Sequence, residues 1–207
     1  MVLTHAIQTI ITPEKKIGEG SYREVYMVRN KAVKVLKHFI VKDYILFSIK
    51  YPTHYYTKLK FGIDDFNEHE FGNYSELKIP DEFKDNFAQI FGIEKNNGNS
   101  FSLCELILDS DGNVSKSVKE HKNIKDIDFW KNLDKLEEFL IDNRIYLMDI
   151  RPENILAKEI NGSFIPVIID YKRVGPQTYP FQFLLKSTNG IENKIRRRFE
   201  RLKELNK

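Results

Sequence analysis

Three oxygen-bearing side chains in the second half of the chain carry the strongest chemical signal. Asp149 sits in Ile-Tyr-Leu-Met-Asp-Ile-Arg-Pro-Glu-Asn, Asn154 follows five residues on, and Asp170 closes Phe-Ile-Pro-Val-Ile-Ile-Asp. The two β-rich runs between them, Ile155–Ile160 and Phe164–Ile169, meet at Asn161-Gly162, a pair that favours a tight hairpin turn. Folding that hairpin returns Asp170 towards Asn154 and Asp149. A carboxylate and an amide oxygen form a hard-oxygen pair suited to Mg²⁺, which keeps several waters and is often bound through substrate phosphates. The remaining Asp is free to orient a nucleophilic hydroxyl, and the set has the layout that phosphoryl transfer asks for. Asp and Asn are also ordinary loop residues, so the upstream chain decides between the two readings.

Upstream, Lys16-Ile-Gly18-Glu-Gly20-Ser-Tyr-Arg-Glu-Val25-Tyr-Met-Val28 reads as strand, Gly-x-Gly turn and strand, because Glu24–Val28 is β-rich and nothing here has helical period. A dinucleotide-binding or Walker-type loop would instead open a helix. Glycines bending a hairpin let backbone amides approach a polyphosphate, although a plain hairpin with permissive glycines reads the same way. After a turn at Asn30-Lys31 comes Ala32-Val-Lys34-Val-Leu36. Alternation sends Ala32, Lys34 and Leu36 to one face and Val33 and Val35 to the other. A lysine flanked by apolar residues either snorkels from an edge strand or is a cation held over phosphates and tethered by a carboxylate.

The elements that must position these groups follow in order. Residues 1–15 suggest a short strand or arm, and 39–62 an insertion to which no chemistry is assigned. Asp64–Leu77 reads as a helix, with Phe66, His69–Glu70, Asn73 and Leu77 at spacings of three and four and Asp64 and Asp65 suited to cap it. Of Glu68, Glu70 and Glu76, Glu70 is the favoured partner for Lys34. Phe87–Glu94 and Ser100–Leu108 are predicted as two strands joined by an Asn-rich turn, completing a five-stranded antiparallel sheet with one helix. Asp109-Ser-Asp-Gly-Asn is an acidic turn whose spacing is too short for a calcium loop. Ile127–Ile141 is a strongly amphipathic helix leading towards Asp149. Ile191–Leu205 is a second, with a basic face that serves either docking or an anionic partner.

Bulk composition narrows the classes. An apolar content of 41% with 13% aromatics argues against disorder, and 30% charged residues suit a soluble protein. A net charge of +3 does not by itself require nucleic acid. A single cysteine, Cys104, excludes an internal disulfide and fits a reducing compartment. The five histidines show no zinc-ligand spacing. With no apolar stretch of spanning length, a soluble cytoplasmic protein is expected.

The order of these features resembles a protein kinase: Gly18-x-Gly20-x-x-x-x-Val25, the strand lysine Lys34, a helix glutamate, Asp149-Ile-Arg-Pro-Glu-Asn154 and Ile-Ile-Asp170. More closely, Leu140 to Leu156 together with Phe-Ile-Pro-Val-Ile-Ile-Asp resembles the YrbL family, small bacterial kinase-like proteins known as PhoP regulatory network proteins. The resemblance implies an α+β, protein-kinase-like fold: a five-stranded N-lobe over 1–103, a hinge at 104–108 and a reduced, mainly helical C-lobe over 109–207. It implies ATP and Mg²⁺ as cofactors, bound between the lobes. Gly18 and Gly20 would cover the phosphates, with Val25 completing the motif, and Lys34 would contact the phosphates, tethered by Glu70. The backbone of Cys104-Glu105-Leu106-Ile107 would contact adenine. Asn154 and Asp170 would hold metal, and Asp149 would receive or orient the acceptor's hydroxyl proton. The acceptor itself (the chain, another protein or a small molecule) stays open, and so does a regulator that binds nucleotide without turnover. Departures from the kinase pattern are Arg23 at the third glycine, Leu147-Met148 before Asp149 and Tyr171-Lys172 after Asp170. No Ala-Pro-Glu segment follows, and 37 residues beyond Asp170 cannot build a full peptide-binding lobe.

Overall fold

Period-two patterning yields three strands at the start of the computed structural model: β1 (Lys15–Glu19), β2 (Arg23–Val28) and β3 (Lys31–Leu36). The structure describes residues 15–19, 23–28, 31–36, 65–96, 99–121, 124–145, 150–171 and 188–204. Gly20, Asp64, Asp149 and the runs 1–14 and 39–62 lie outside them. The chain divides into two units, Met1–Gly72 with Gln89–Leu106 and Asn73–Ala88 with Ile107–Lys207.

In the first unit β4 (Ile90–Asn96) and β5 (Asn99–Glu105) complete a five-stranded antiparallel sheet of order β1-β2-β3-β5-β4. Val28, Val33 and Phe101 are buried together, with Tyr26, Val35 and Leu103 packed against them. Lys34 stands opposite Val25 on one side and Ser102 on the other, so the lysine strand is interior to the sheet rather than at its edge. Helix α1 (Phe66–Glu76) starts at Asp65, whose Oδ1 accepts from the Asn67 and Glu68 amides at 2.8 and 3.2 Å and from Ser100 Oγ at 2.8 Å. One carboxylate therefore both caps the helix and ties it to β5.

β4 and β5 are displaced from the predicted Phe87–Glu94 and Ser100–Leu108. Phe87 and Ala88 are drawn into the second unit, where Phe87 bridges Ile168 and the Ala88 amide donates to the Ile168 carbonyl at 2.9 Å. Leu108 likewise pairs with Val114 across the acidic turn, with Gly112 at φ 79°. Apolar content alone cannot tell which sheet a strand-like run will join.

The second unit is built on β6 (Lys116–Ser117), β7 (Ile155–Ile160) and β8 (Ser163–Ile168), with helices α2 (Ile127–Asp142) and α3 (Thr188–Glu204). The β7–β8 turn has φ 51° at Asn161 and 87° at Gly162, the two positive values that an Asn-Gly hairpin turn supplies. Asp126 caps α2 by accepting from the Asp128 and Phe129 amides, and its second oxygen accepts from the Phe164 amide of β8 at 2.7 Å. Phe129, Leu133, Leu136 and Leu140 are fully buried on the apolar face of α2. The helix ends in a Schellman turn: Arg144 takes φ 53°, its amide donates to Ile141 O at 3.0 Å, and the Ile145 amide donates to Leu140 O at 2.8 Å. This turn ends the helix at a defined point.

Helix α3 buries Ile191, Ile195, Phe199 and Leu202. Two of its six basic side chains pair with α2: Arg196 with Glu138 at 2.9 Å, and Lys203 with Asp134 at 2.6 Å and Glu137 at 2.9 Å. These contacts favour the docking alternative for this helix. No helix among the described residues is long and apolar enough to cross a membrane.

His121 stands edge-on to Phe164, ring centroids 5.2 Å apart, and its Nε2 is buried with no hydrogen-bond partner among the described residues. Burial holds its pKa below the ordinary imidazole value, Lys116 adds to the effect, and Asp109 and Glu120 partly oppose it. The unfolded chain takes up this proton near pH ~6.5, the folded chain only lower. The stability it confers is thus complete above pH ~6.5 and falls away below. His121→Phe keeps the ring and removes the titration. Its denaturant midpoint should fall less than that of the native chain between pH 7 and 5, and equal falls would contradict this assignment.

Candidate functional site

β3 delivers Lys34 to the sheet face opposite Val33, and α1 presents Glu70 to it. Of the three glutamates weighed as its partner, Glu70 makes the contact: Lys34 Nζ donates to Glu70 Oε1 at 2.9 Å, and the Glu70 side chain is fully buried. Glu68 instead pairs with exposed Lys95 at 2.6 Å. The second Glu70 oxygen, Oε2, accepts from Arg23 Nη1 at close range. Arg23 Nη1 also donates to Asn67 Oδ1 at 3.2 Å, and Asn67 Nδ2 donates to Ser100 Oγ and O at 2.9 and 3.1 Å. The cluster draws on β2, β3, β5 and one face of α1, since Asn67 and Glu70 lie three residues apart.

Arg23 and Asn67 were not identified in the sequence as site residues. Arg23, noted above only as a departure at the position of a third glycine, opens β2 with its side chain buried. A signal was present: Val25 faces Lys34 across the ladder, so period-two alternation puts Arg23 on the same face as Lys34.

Gly18 lies opposite Val25, beside a register shift in β1. An added Cβ would meet only Val25, at 3.6 Å, which is ordinary contact, so packing among the described residues does not demand glycine there. Gly20 lies outside the described residues. At the end of β5 the Glu105 amide donates to the Gln89 carbonyl at 2.8 Å, and its carboxylate accepts from the Gln89 amide at 3.0 Å. Leu106 is buried beyond it.

In the second unit the hairpin register pairs Ile155 with Ile168, and the Ile169 amide donates to the Asn154 carbonyl at 3.2 Å. Asn154 and Asp170 therefore flank the open end of one hairpin. Asp170 is buried. The next residue, Tyr171, is locked in place: its hydroxyl lies 2.8 Å from both the Ala88 and Ile168 carbonyls, and its own carbonyl accepts from Asn73 Nδ2 at 2.8 Å. A buried carboxylate and a nearby amide, both hard-oxygen donors, suit Mg²⁺ completed by waters and phosphate. Among the described residues no group of three His, Cys, Asp or Glu gathers to form a metal cage of protein ligands alone. Asp149 lies outside the described residues, between buried Ile145 and buried Ile150.

The family pattern described as PhoP regulatory network protein YrbL matches residues 10–205, nearly the whole chain. The chain belongs to the YrbL family. No protein of curated function matches the sequence of this YrbL-family chain. Among solved structures it is similar to the Rio2 kinase of Chaetomium thermophilum, solved as an ADP/Mg²⁺–phosphoaspartate complex, with a TM-score of 0.59 and 16% identity. The match covers 99% of this chain and 64% of the Rio2 chain, so the YrbL-family protein spans less than two thirds of that kinase's length. The fold is protein-kinase-like, α+β, with a five-stranded antiparallel sheet.

Removing one partner of a buried charge cluster leaves the others uncompensated, at a cost of about 3–5 kcal/mol. Glu70→Ala should therefore lower unfolding free energy by that amount in urea titrations, whereas Glu68→Ala, which loses an exposed pair, should leave it little changed. Similar losses for the two variants would show that the cluster around Glu70 contributes nothing special.

Proposed function

We propose that this YrbL-family protein binds Mg-ATP and transfers its γ-phosphoryl group to a hydroxyl acceptor. The observation that carries the reading is the buried Lys34–Glu70 pair on a strand interior to the sheet. An ammonium tethered by a carboxylate at a fixed point of a rigid sheet is a phosphate-handling device, and a snorkelling surface lysine needs no such tether. The kinase-like fold and the Rio2 structure's ADP and Mg²⁺ support the same chemistry.

In this reading Gly18 and Gly20 let backbone amides approach the phosphates, and Lys34 contributes a fixed positive charge. Val25, between Gly18 and Lys34 on the ladder, would contact the nucleotide. Because the Glu105 amide is committed to Gln89, adenine recognition falls to the remaining backbone groups of Glu105 and Leu106. Asn154 and Asp170 would hold Mg²⁺, which supplies neutralisation of the charge developing on the transferred group. Asp149 accepts or orients the proton of the attacking hydroxyl. The Tyr171 hydrogen bonds hold the chain beside Asp170 in one place, so metal binding does not wait on rearrangement of the residue that follows.

A nucleotide-binding regulator without turnover shares every feature except the last step, and one assay separates the two. The purified protein incubated with γ-labelled ATP and Mg²⁺ should transfer label to itself or to an added acceptor. Asp149→Asn should lower transfer at least about a hundredfold, as loss of a general base does, while ATP binding persists. ATP binding with no transfer from the native protein would establish the regulator, and absence of ATP binding would overturn both.

A further inference from the structure

Glu70 has two carboxylate oxygens, and each is held by a different cation from a different strand. Lys34 of β3 takes Oε1 and Arg23 of β2 takes Oε2. A glutamate tethered by a lysine alone joins two flexible side chains whose contact can be made from many rotamers, each of which costs entropy to freeze. The planar guanidinium changes this, because it donates in fixed directions and loses less freedom per bond formed. Here Nη1 serves both Glu70 and Asn67, and Asn67 is itself anchored on Ser100 of β5. The carboxylate is thereby fixed from two strands and from its own helix. Arg23, Lys34, Asn67, Glu70 and Ser100 all belong to the first unit.

We propose that Arg23 is a positioning residue: it holds the Glu70 carboxylate in the orientation that places the Lys34 ammonium for nucleotide phosphates. The role rests on the nucleotide reading above and adds to it a residue outside the glycine, lysine and glutamate set.

The test compares ATP with adenosine, which lacks the phosphates. Binding of each is measured by calorimetry for the native chain, Arg23→Met and Arg23→Lys, with folding verified by denaturant titration. Arg23→Met should weaken ATP about tenfold and leave adenosine unchanged. Arg23→Lys, which keeps the charge and loses the planar fork, should weaken ATP about threefold, and it provides the reading if the methionine variant does not fold. In a Glu70→Gln background the Arg23→Met effect on ATP should disappear, because the role runs through that carboxylate. Unchanged ATP affinity, an equal loss for ATP and adenosine, or a loss undiminished in the Glu70→Gln background would each overturn the positioning role while leaving nucleotide binding intact. A native chain that binds no ATP would overturn the nucleotide reading and this role with it.

Discussion

The Glu70 carboxylate, fully buried between an arginine and a lysine, is the interaction on which the first unit's functional geometry depends. A charge removed from water is tolerated only when partners of opposite sign and further hydrogen bonds replace its hydration. That requirement explains features that otherwise look unrelated. Arg23 opens β2 facing inward, Lys34 sits among valines, Asn67 is completely buried, and Asp65 both caps α1 and bonds Ser100. Each either neutralises the carboxylate or fixes the helix that carries it. Burial raises the cost of any one missing partner, and it also makes the arrangement specific.

The second unit solves a different problem by different means. Its polar groups are held by backbone geometry: an Asn-Gly turn of two positive φ angles sets the β7–β8 register, and that register brings residue 154 beside residue 169. Asp126 fastens α2 to β8, and the Schellman turn at Arg144 ends the helix. Tyr171 closes the base of the hairpin through its hydroxyl. The basic residues of α3 that first suggested an anionic partner are partly spent on the acids of α2, with Ile195 and Phe199 buried beneath them.

Local signals were legible in the sequence wherever one short range of residues determined the outcome. Asn161-Gly162 named its turn, alternation placed Lys34 on its face, and the apolar spacing of 129, 133, 136 and 140 outlined α2. Contacts set by distant pairing were harder to read. The ends of β4 and β5 moved because Phe87, Ala88 and Leu108 found partners at Ile168 and Val114, which no local pattern announces. Arg23 was read as a departure from a motif, although the alternation that placed Lys34 also placed Arg23 beside it. Family resemblance directed attention to the glycine that was missing rather than to the side chain standing in its place.

The proposed function requires Lys34 to act on the phosphates of ATP and Asp170 to act through its Mg²⁺. ATP affinity measured across a Mg²⁺ titration tests it most directly, for the native chain, Lys34→Met and Asp170→Asn. The account predicts that Mg²⁺ tightens ATP binding to the native chain, that Asp170→Asn loses this gain but keeps metal-free binding, and that Lys34→Met weakens both. An Asp170→Asn chain with the full Mg²⁺ gain, or a Lys34→Met chain that binds ATP as the native chain does, would contradict it.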